Sequence, residues 1–333
     1  MSTYSIIIPT YNNPTQVKRC IKSIIKNFEA SKSQYEIIIV DDASKTNNYN
    51  ITKKFIRNFK KKKISLIRNK KNLGPAQSRN VGAKKAKFKN LLFLDSDTVL
   101  HKDISKNIQN NLRKYDAVIG HYYYKPINET IAANFKAIFN YFFFSRKGIT
   151  KFETFNSACA AIKKKVFNKL KGFNANIKWG MDYENEEFGR RILKNNTMVI
   201  DPKITVMHEF PALLKMLSLY FKRAIPYVGV ILDDKKVENT GPAGYKIIFS
   251  IILSLMTTFG FFSYLFLSKK IFLYFFLTSF FLYLLNNLNF IIFSLKIKPL
   301  QTPAFIAINF LLGKILFLAL IVGSLKYIYK IKK

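Results

Sequence analysis

Four short apolar runs recur through the first hundred residues: Ile6-Ile7-Ile8, Ile37-Ile38-Ile39-Val40, Ile64-Ser65-Leu66-Ile67 and Leu91-Leu92-Phe93-Leu94. They are rich in β-branched residues and lack the polar alternation of a half-exposed strand, so they predict buried parallel strands. Between the first two, Val17, Ile21, Ile24 and Phe28 fall at helical spacing, and between the second and third Ile51, Phe55 and Phe59 do the same. The order βαβαβαβ predicts an α/β domain with a mostly parallel sheet. Each run breaks into polar residues at its carboxyl end, at Pro9-Thr10-Tyr11-Asn12, Asp41-Asp42, Arg68-Asn69 and Asp95-Ser96-Asp97. Open α/β sheets bind ligands along that edge. The first strand-to-helix turn, Thr10 to Pro14, contains no glycine, which removes the main support for a dinucleotide-binding domain.

The pattern changes after about residue 210. Pro211 to Leu232 mixes apolar clusters with Lys215, Lys222 and Arg223, a basic amphipathic stretch suited either to the lipid headgroup region or to a buried domain helix. Ile247 to Leu267 gives 21 residues without a charge and Ile271 to Leu295 gives 25. Each is long enough to cross a bilayer, which takes roughly 20 helical residues. Ala304 to Leu325 has the length but holds Lys314 near its centre, at a cost on the order of 2.5 to 3.5 kcal/mol. That lysine needs a partner or a wet cavity; alternatively the segment tilts and the side chain snorkels. The predicted organisation is an α/β domain over 1–210, an interfacial segment and linker over 211–244, and transmembrane helices over 245–333 (about 247–267, 271–295 and 304–325), with Ser268-Lys269-Lys270 as a tight turn.

Charge sharpens this division. Of 333 residues, 55 are basic and 19 acidic, and every acid lies at or before Glu238. The remainder carries 10 lysines and no acid. A basic chain suits nucleic acid or an anionic membrane, but the run Lys60 to Lys63 has no interleaved aromatics of the kind single-strand binding uses, so it reads as a solvated helix end and no nucleic-acid partner is expected. No signal peptide precedes the first strand, which predicts a multi-pass cell-membrane protein with a cytoplasmic amino-terminal domain. Three spans would put the four lysines of Lys326 to Lys333 on the far side, against the positive-inside tendency, so two, three or four crossings remain open. Cys20 and Cys159 read as packing residues, not a disulfide.

The chemistry concentrates in two places. Asp95 and Asp97 stand two apart at a strand end, so both carboxylates face one way and oxygen ligands of this kind suit Mg2+ or Mn2+. Downstream, Asp182-Tyr183-Glu184-Asn185-Glu186-Glu187-Phe188-Gly189-Arg190-Arg191 crowds acids at a helix start, with arginines placed for i,i+4 pairs. The same acids could supply a general base. His101 and His121 read as structural.

Together, Ser5 to Asn12, Val40-Asp41-Asp42-Ala43-Ser44, Asn72-Leu73-Gly74-Pro75-Ala76 with Arg79-Asn80, and Leu94-Asp95-Ser96-Asp97 resemble the family 2 glycosyltransferases of GT-A fold, over roughly the first 210 residues. The resemblance implies a Rossmann-like, mostly parallel sheet, a nucleoside diphosphate sugar as donor, and a Mn2+ or Mg2+ cofactor. It implies that Pro9, Thr10, Tyr11, Asp42, Arg79, Asp95 and Ser96 hold the nucleotide sugar, and that Asp97, His208 and Asp95 hold the metal. On the acceptor side it implies Trp179, Gly180, Glu187 and Arg191. The family's usual base is the aspartate of a Glu-Asp pair, where this chain has Asn185, which leaves Glu184 as base with Asp182 as the alternative. The implied reaction is inverting transfer to a lipid-linked or glycan acceptor at the membrane, as in polysaccharide biosynthesis. A catalytically inactive, membrane-tethered scaffold is the alternative that Asn185 raises.

Overall fold

The computed structural model describes residues 3–31, 33–59, 63–101, 104–145, 148–177, 183–234 and 245–331. The chain divides into two compact units, 1–123 with 144–209 and 124–143 with 210–333.

In the first unit, β1 (Thr3–Thr10), α1 (Pro14–Ala30), β2 (Gln34–Asp41), α2 (Thr46–Arg57), β3 (Ile64–Arg68), α3 (Pro75–Lys85) and β4 (Asn90–Leu94) form the expected βαβαβαβ series. Their strands lie parallel in the order β3-β2-β1-β4. The chain continues through β5 (Thr98–His101), α4 (Ser105–Lys114) and β6 (Ala117–Tyr122). Helix α5 (Ile131–Phe144) follows, then β7 (Thr150–Lys151), β8 (Cys159–Lys163), α6 (Lys164–Lys169), α7 (Tyr183–Leu193) and β9 (Met198–His208). Among the described residues nine strands make one sheet, which continues from β4 as β8-β6-β9-β5 with β7 on β9. Strand β8 runs antiparallel to β4 and β6, β5 antiparallel to β9, and β6 parallel to β9.

Pleating explains why the apolar runs of β1, β2 and β4 do not alternate: both their faces are covered, whereas β3, expected to be buried, stands at the edge of the sheet, half-buried with Ser65 exposed. Ile6, Ile8, Ile37, Ile39, Leu92 and Leu94 join one core with Val17, Ile21, Ile24 and Phe28 of α1 and Ile108 of α4. Ile7, Ile38, Val40, Leu91 and Phe93 join the other, with Ala83 of α3, Phe167 of α6 and Phe188 and Ile192 of α7. Each such fully buried side chain contributes roughly 1.5–3 kcal/mol relative to exposure. Cys20 and Cys159 are buried packing residues, and burial pushes both thiols up to about 12. His121 is buried against the Pro202 carbonyl, and burial holds it below its usual range; His101 stacks on Tyr123.

The second unit holds α5, α8 (Leu213–Asp234), α9 (Tyr245–Leu267), α10 (Lys270–Ile297), a short 3-10 turn (Pro299–Gln301) and α11 (Thr302–Ile331). Three of its segments, Tyr245–Leu267, Lys270–Ile297 and Pro299–Tyr329, are long and apolar enough to cross a membrane. Ser268 turns the chain between α9 and α10 with a φ of 50°, its N–H bonded to the Tyr264 carbonyl at 2.8 Å. Helix α8 packs along α11, where a Cβ on Gly323 would lie 2.7 Å from Val228. Small residues let such helices approach closely. Phe135, Phe139 and Phe142 of α5 pack on Phe290 of α10, in a core shared with Met216 and Leu217 of α8 and Phe305 of α11. The apolar helices are also tied by polar groups. Asn309 donates to Tyr283 Oη (3.1 Å) and Asn287 Oδ1 (3.0 Å), and Asn286 and Asn287 both donate to Ser250 Oγ.

Candidate active site

The predicted edge of the sheet gathers polar side chains from β1, β2, β4 and β9 and from α3 and α7, all within the first unit. At the end of β1, the Thr10 hydroxyl donates to Asn13 Oδ1, and Asn13 Nδ2 donates to Ser96 Oγ at 2.6 Å. Asn12 sits at φ 55°, a region asparagine tolerates, and its N–H reaches Ser44 Oγ at 2.8 Å. Tyr11 is exposed at this edge. These bonds lock the turns after β1, β2 and β4 to one another, which fixes the shape of the predicted nucleotide edge.

Asp42 is buried and accepts three hydrogen bonds, from Asn69 Nδ2 (2.8 Å), Leu73 N (2.9 Å) and Gly74 N (2.8 Å). A carboxylate has about four lone-pair sites, so most of its capacity goes into shaping the Asn72-Leu73-Gly74 turn. Gly74, at φ 82°, then opens α3 with Pro75 at its first turn. That helix delivers Arg79, which is only 4% exposed. Arg79 Nη2 donates to Asp95 Oδ1 at 2.7 Å, Nη1 lies 3.9 Å from Glu184 Oε1, and the guanidinium covers the Phe173 ring at 5.7 Å. Its Nε and Nη1 have no hydrogen-bond partner among the described residues.

Glu184 is buried in the first turn of α7. Its placement depends on close packing. A Cβ on Gly189 would stand 1.9 Å from the Glu153 carbonyl oxygen, and Phe155 N bonds the Asn185 carbonyl at 3.1 Å. Phe188 closes the other side against Phe155 and Phe173, with centroids at 5.0 and 4.7 Å. Glu187 and Arg191 form the expected i,i+4 pair, with a second contact at 2.8 Å. Arg191 also donates to the carbonyls of Leu170 and Gly172, so this pair clamps α7 to the turn after α6. Trp179, Gly180 and Asp182 lie outside the described residues.

Asp97 and His208 meet where β5 pairs with the end of β9: His208 Nε2 is 3.3 Å from Asp97 Oδ1, and the Asp97 side chain is 37% exposed. Burial raises the Asp97 carboxyl, but the attraction of His208 and its hydrogen bond outweigh it, so the net shift is downward. For His208 burial lowers, and the charges and hydrogen bond of Asp97 raise; the net shift is upward. Asp95 faces Arg79, and among the described residues no three His, Cys, Asp or Glu side chains converge as a metal cage. Asn13, Ser44 and Asn69, none of which the sequence motifs assign a role, orient the predicted residues. Thr10 and Asn13 three apart were the available signal. Ser157 Oγ, fully buried beside the Asp95–Ala158 backbone bond, has no partner among the described residues.

This geometry accords with what the chain is similar to. Residues 5–171, half of the chain, match the family model described as glycosyl transferase family 2. The chain belongs to that family. Relatives include poly(ribitol-phosphate) beta-N-acetylglucosaminyltransferase TarP of Staphylococcus aureus (strain N315), 35% identical over 127 residues, which is 37% of this chain and 37% of TarP. TarS of S. aureus (strain Mu50), of the same description, is 33% identical over 107 residues, 32% of this chain. The match spans 18% of the length of TarS, well under two thirds, as it does for TarP. Among solved structures, the mannosyltransferase PcManGT from Pyrobaculum calidifontis, in complex with GDP-Man and Mn2+, shares the fold. It has a TM-score of 0.58 at 14% identity over 98% of this chain and 87% of that one.

Proposed function

We propose that this family 2 chain is a metal-dependent inverting glycosyltransferase. It takes a sugar from a nucleoside diphosphate sugar to a lipid-linked or glycan acceptor, and is anchored by its three long helices with the first unit at the cytoplasmic face. The observation that carries the reading is the Asp97–His208 pair standing on the same sheet edge as the buried Arg79–Glu184 pair. The poly(ribitol-phosphate) in the names of TarS and TarP supports a polymeric acceptor.

An aspartate oxygen and an imidazole nitrogen at 3.3 Å form a donor set that suits Mn2+, and Mg2+ sites also commonly use one or two carboxylates with substrate phosphates. Asp97 and His208 would hold the ion; PcManGT, which shares the fold, is in complex with Mn2+. When bound, it offsets charge on the departing diphosphate. Glu184 removes the proton of the acceptor hydroxyl as that oxygen bonds to the anomeric carbon, and the bond to the diphosphate breaks with its electron pair on the leaving oxygen. Asp182 is the alternative base. Arg79 fixes Asp95 and sets a positive charge beside Glu184, while Pro9, Thr10, Tyr11, Asp42 and Ser96 shape the nucleotide edge. Glu187 and Arg191 hold α7, and through it Glu184, in place; Trp179 and Gly180 are assigned to the acceptor side by resemblance alone.

Asn185 favours a second reading, a tethered scaffold that binds nucleotide sugar without transfer. The deciding experiment assays detergent-purified full-length chain against a panel of nucleotide sugars, with Mn2+ present or chelated. Metal-dependent release of nucleoside diphosphate from one donor is expected. Binding without release would favour the scaffold, and failure to bind any nucleotide would contradict both.

A further inference from the structure

Along α11, Leu311, Lys314, Leu318, Ile321, Leu325 and Ile328 follow one another at alternating steps of three and four. The five apolar members are 40–62% exposed, and Lys314 lies half-buried in the same row. Exposed leucines are ordinary on a helix in lipid; a lysine is costly there and marks a functional site by default. The three-four spacing is that of a seam against another helix, in which a single polar position selects the partner.

The ammonium of Lys314 lies 3.7 Å from the centroid of the Phe310 ring, one turn earlier. Phe310 is itself held edge-on to Tyr283 at 5.1 Å, and Tyr283 is bonded by Asn309. The charge is therefore parked on the row. It sits 12 residues after Thr302, about 18 Å along the helix, and 17 residues before Ile331. A ring face attracts the ammonium without neutralising it. The chain supplies no Asp or Glu after Glu238, and no ion pair joins Lys314 to any described residue. A second copy packed on this face about a two-fold axis would bring only another lysine. Bulk lipid phosphates lie at the edges of a core whose half-thickness is about 15 Å.

We propose that this face of α11 docks a transmembrane helix of another protein, one that carries an Asp or Glu carboxylate at the depth of Lys314. This rests on the membrane reading above. It assigns the chain to a complex with an integral membrane partner recognised by one buried charge pair within an apolar seam.

The test places the full-length protein in phosphatidylcholine vesicles, establishes resistance to alkaline carbonate, and adds synthetic leucine-rich transmembrane helices bearing one central Glu or one central Gln. Energy transfer between labels on protein and helix reports association. The Glu helix should bind on the order of five- to tenfold tighter than the Gln helix. That preference should persist in Lys314→Arg and vanish in Lys314→Leu. Equal binding of the two helices, or a preference that survives Lys314→Leu, would overturn the docking. So would loss of the preference on adding phosphatidylglycerol, which would give the lysine to lipid phosphate, or tighter association between copies of the protein than with the Glu helix. Extraction by carbonate is a different result: it would remove the membrane reading itself.

Discussion

The two units bury polar groups for different ends. In the first, Asp42, Arg79 and Glu184 are drawn to one sheet edge, and a shell of turns and backbone amides holds them there. In the second, Ser250, Asn287, Tyr283 and Asn309 link helix to helix and gather at no open edge. The lesson is that a buried polar cluster by itself does not identify chemistry. What marks the first unit is the convergence of opposite charges, with Arg79 Nε lacking a hydrogen-bond partner among the described residues, at the edge where strands end.

The comparison can be broken most severely at Asp97. Replacing it with Ala should remove several kcal/mol of transition-state stabilisation and hence about two or more orders of magnitude of metal-stimulated turnover, with the thermal midpoint of the first unit little changed. Unchanged metal stimulation would take Asp97 out of the site. Next comes Gly189→Ala, where the new methyl meets a backbone oxygen at 1.9 Å. Overpacking of this kind costs about 1–3 kcal/mol, and because α7 must shift, kcat should fall along with stability in a melting and kinetic comparison. Asn309→Leu sharpens the other side. It should loosen the helical unit by about 1 kcal/mol, seen as easier detergent-induced unfolding, and leave kcat intact.

The smallest effect concerns pH. Burial raises the Asp116 carboxyl, but the Thr197 amide and hydroxyl and Lys163 outweigh it, so the folded-state value is lowered. A lowered carboxylate stabilises the fold above its unfolded value and loses that contribution as pH falls through the folded one. Asp116→Asn should therefore be the less stable protein at neutral pH, by no more than about 1 kcal/mol, and match the parent in acid. A difference that grows on acidification would reverse the sign and refute the assignment.

Much of this was legible in the sequence because strong periodicity leaves few alternatives. The runs at Ile6, Ile37 and Leu91 had to be covered on both faces, whereas the Ile64 run forms a half-exposed edge strand, and the charge-free stretches 247–267 and 271–295 lie within the helices Tyr245–Leu267 and Lys270–Ile297. Of the candidate site, the placement of Asp95 and Asp97 just past the end of a strand was legible, as β4 ends at Leu94. Other features depend on partners distant in sequence. The domain expected over 1–210 includes α5, yet Tyr124–Phe143 belongs to the second unit, because only the packing of Phe135 and Phe139 on Phe290 reveals what covers that helix. The same holds for the three bonds on Asp42 and for the approach of Arg79 to Glu184 across 105 positions of sequence. No local pattern encodes either.

The central claim is that Glu184 acts as the base in place of the residue at 185. Single-turnover transfer and nucleotide-sugar binding should be measured side by side for Glu184→Gln and the parent. The account predicts a loss of about 100- to 10,000-fold in the chemical step with donor affinity nearly unchanged. Full transfer by Glu184→Gln would contradict it and pass the role to Asp182.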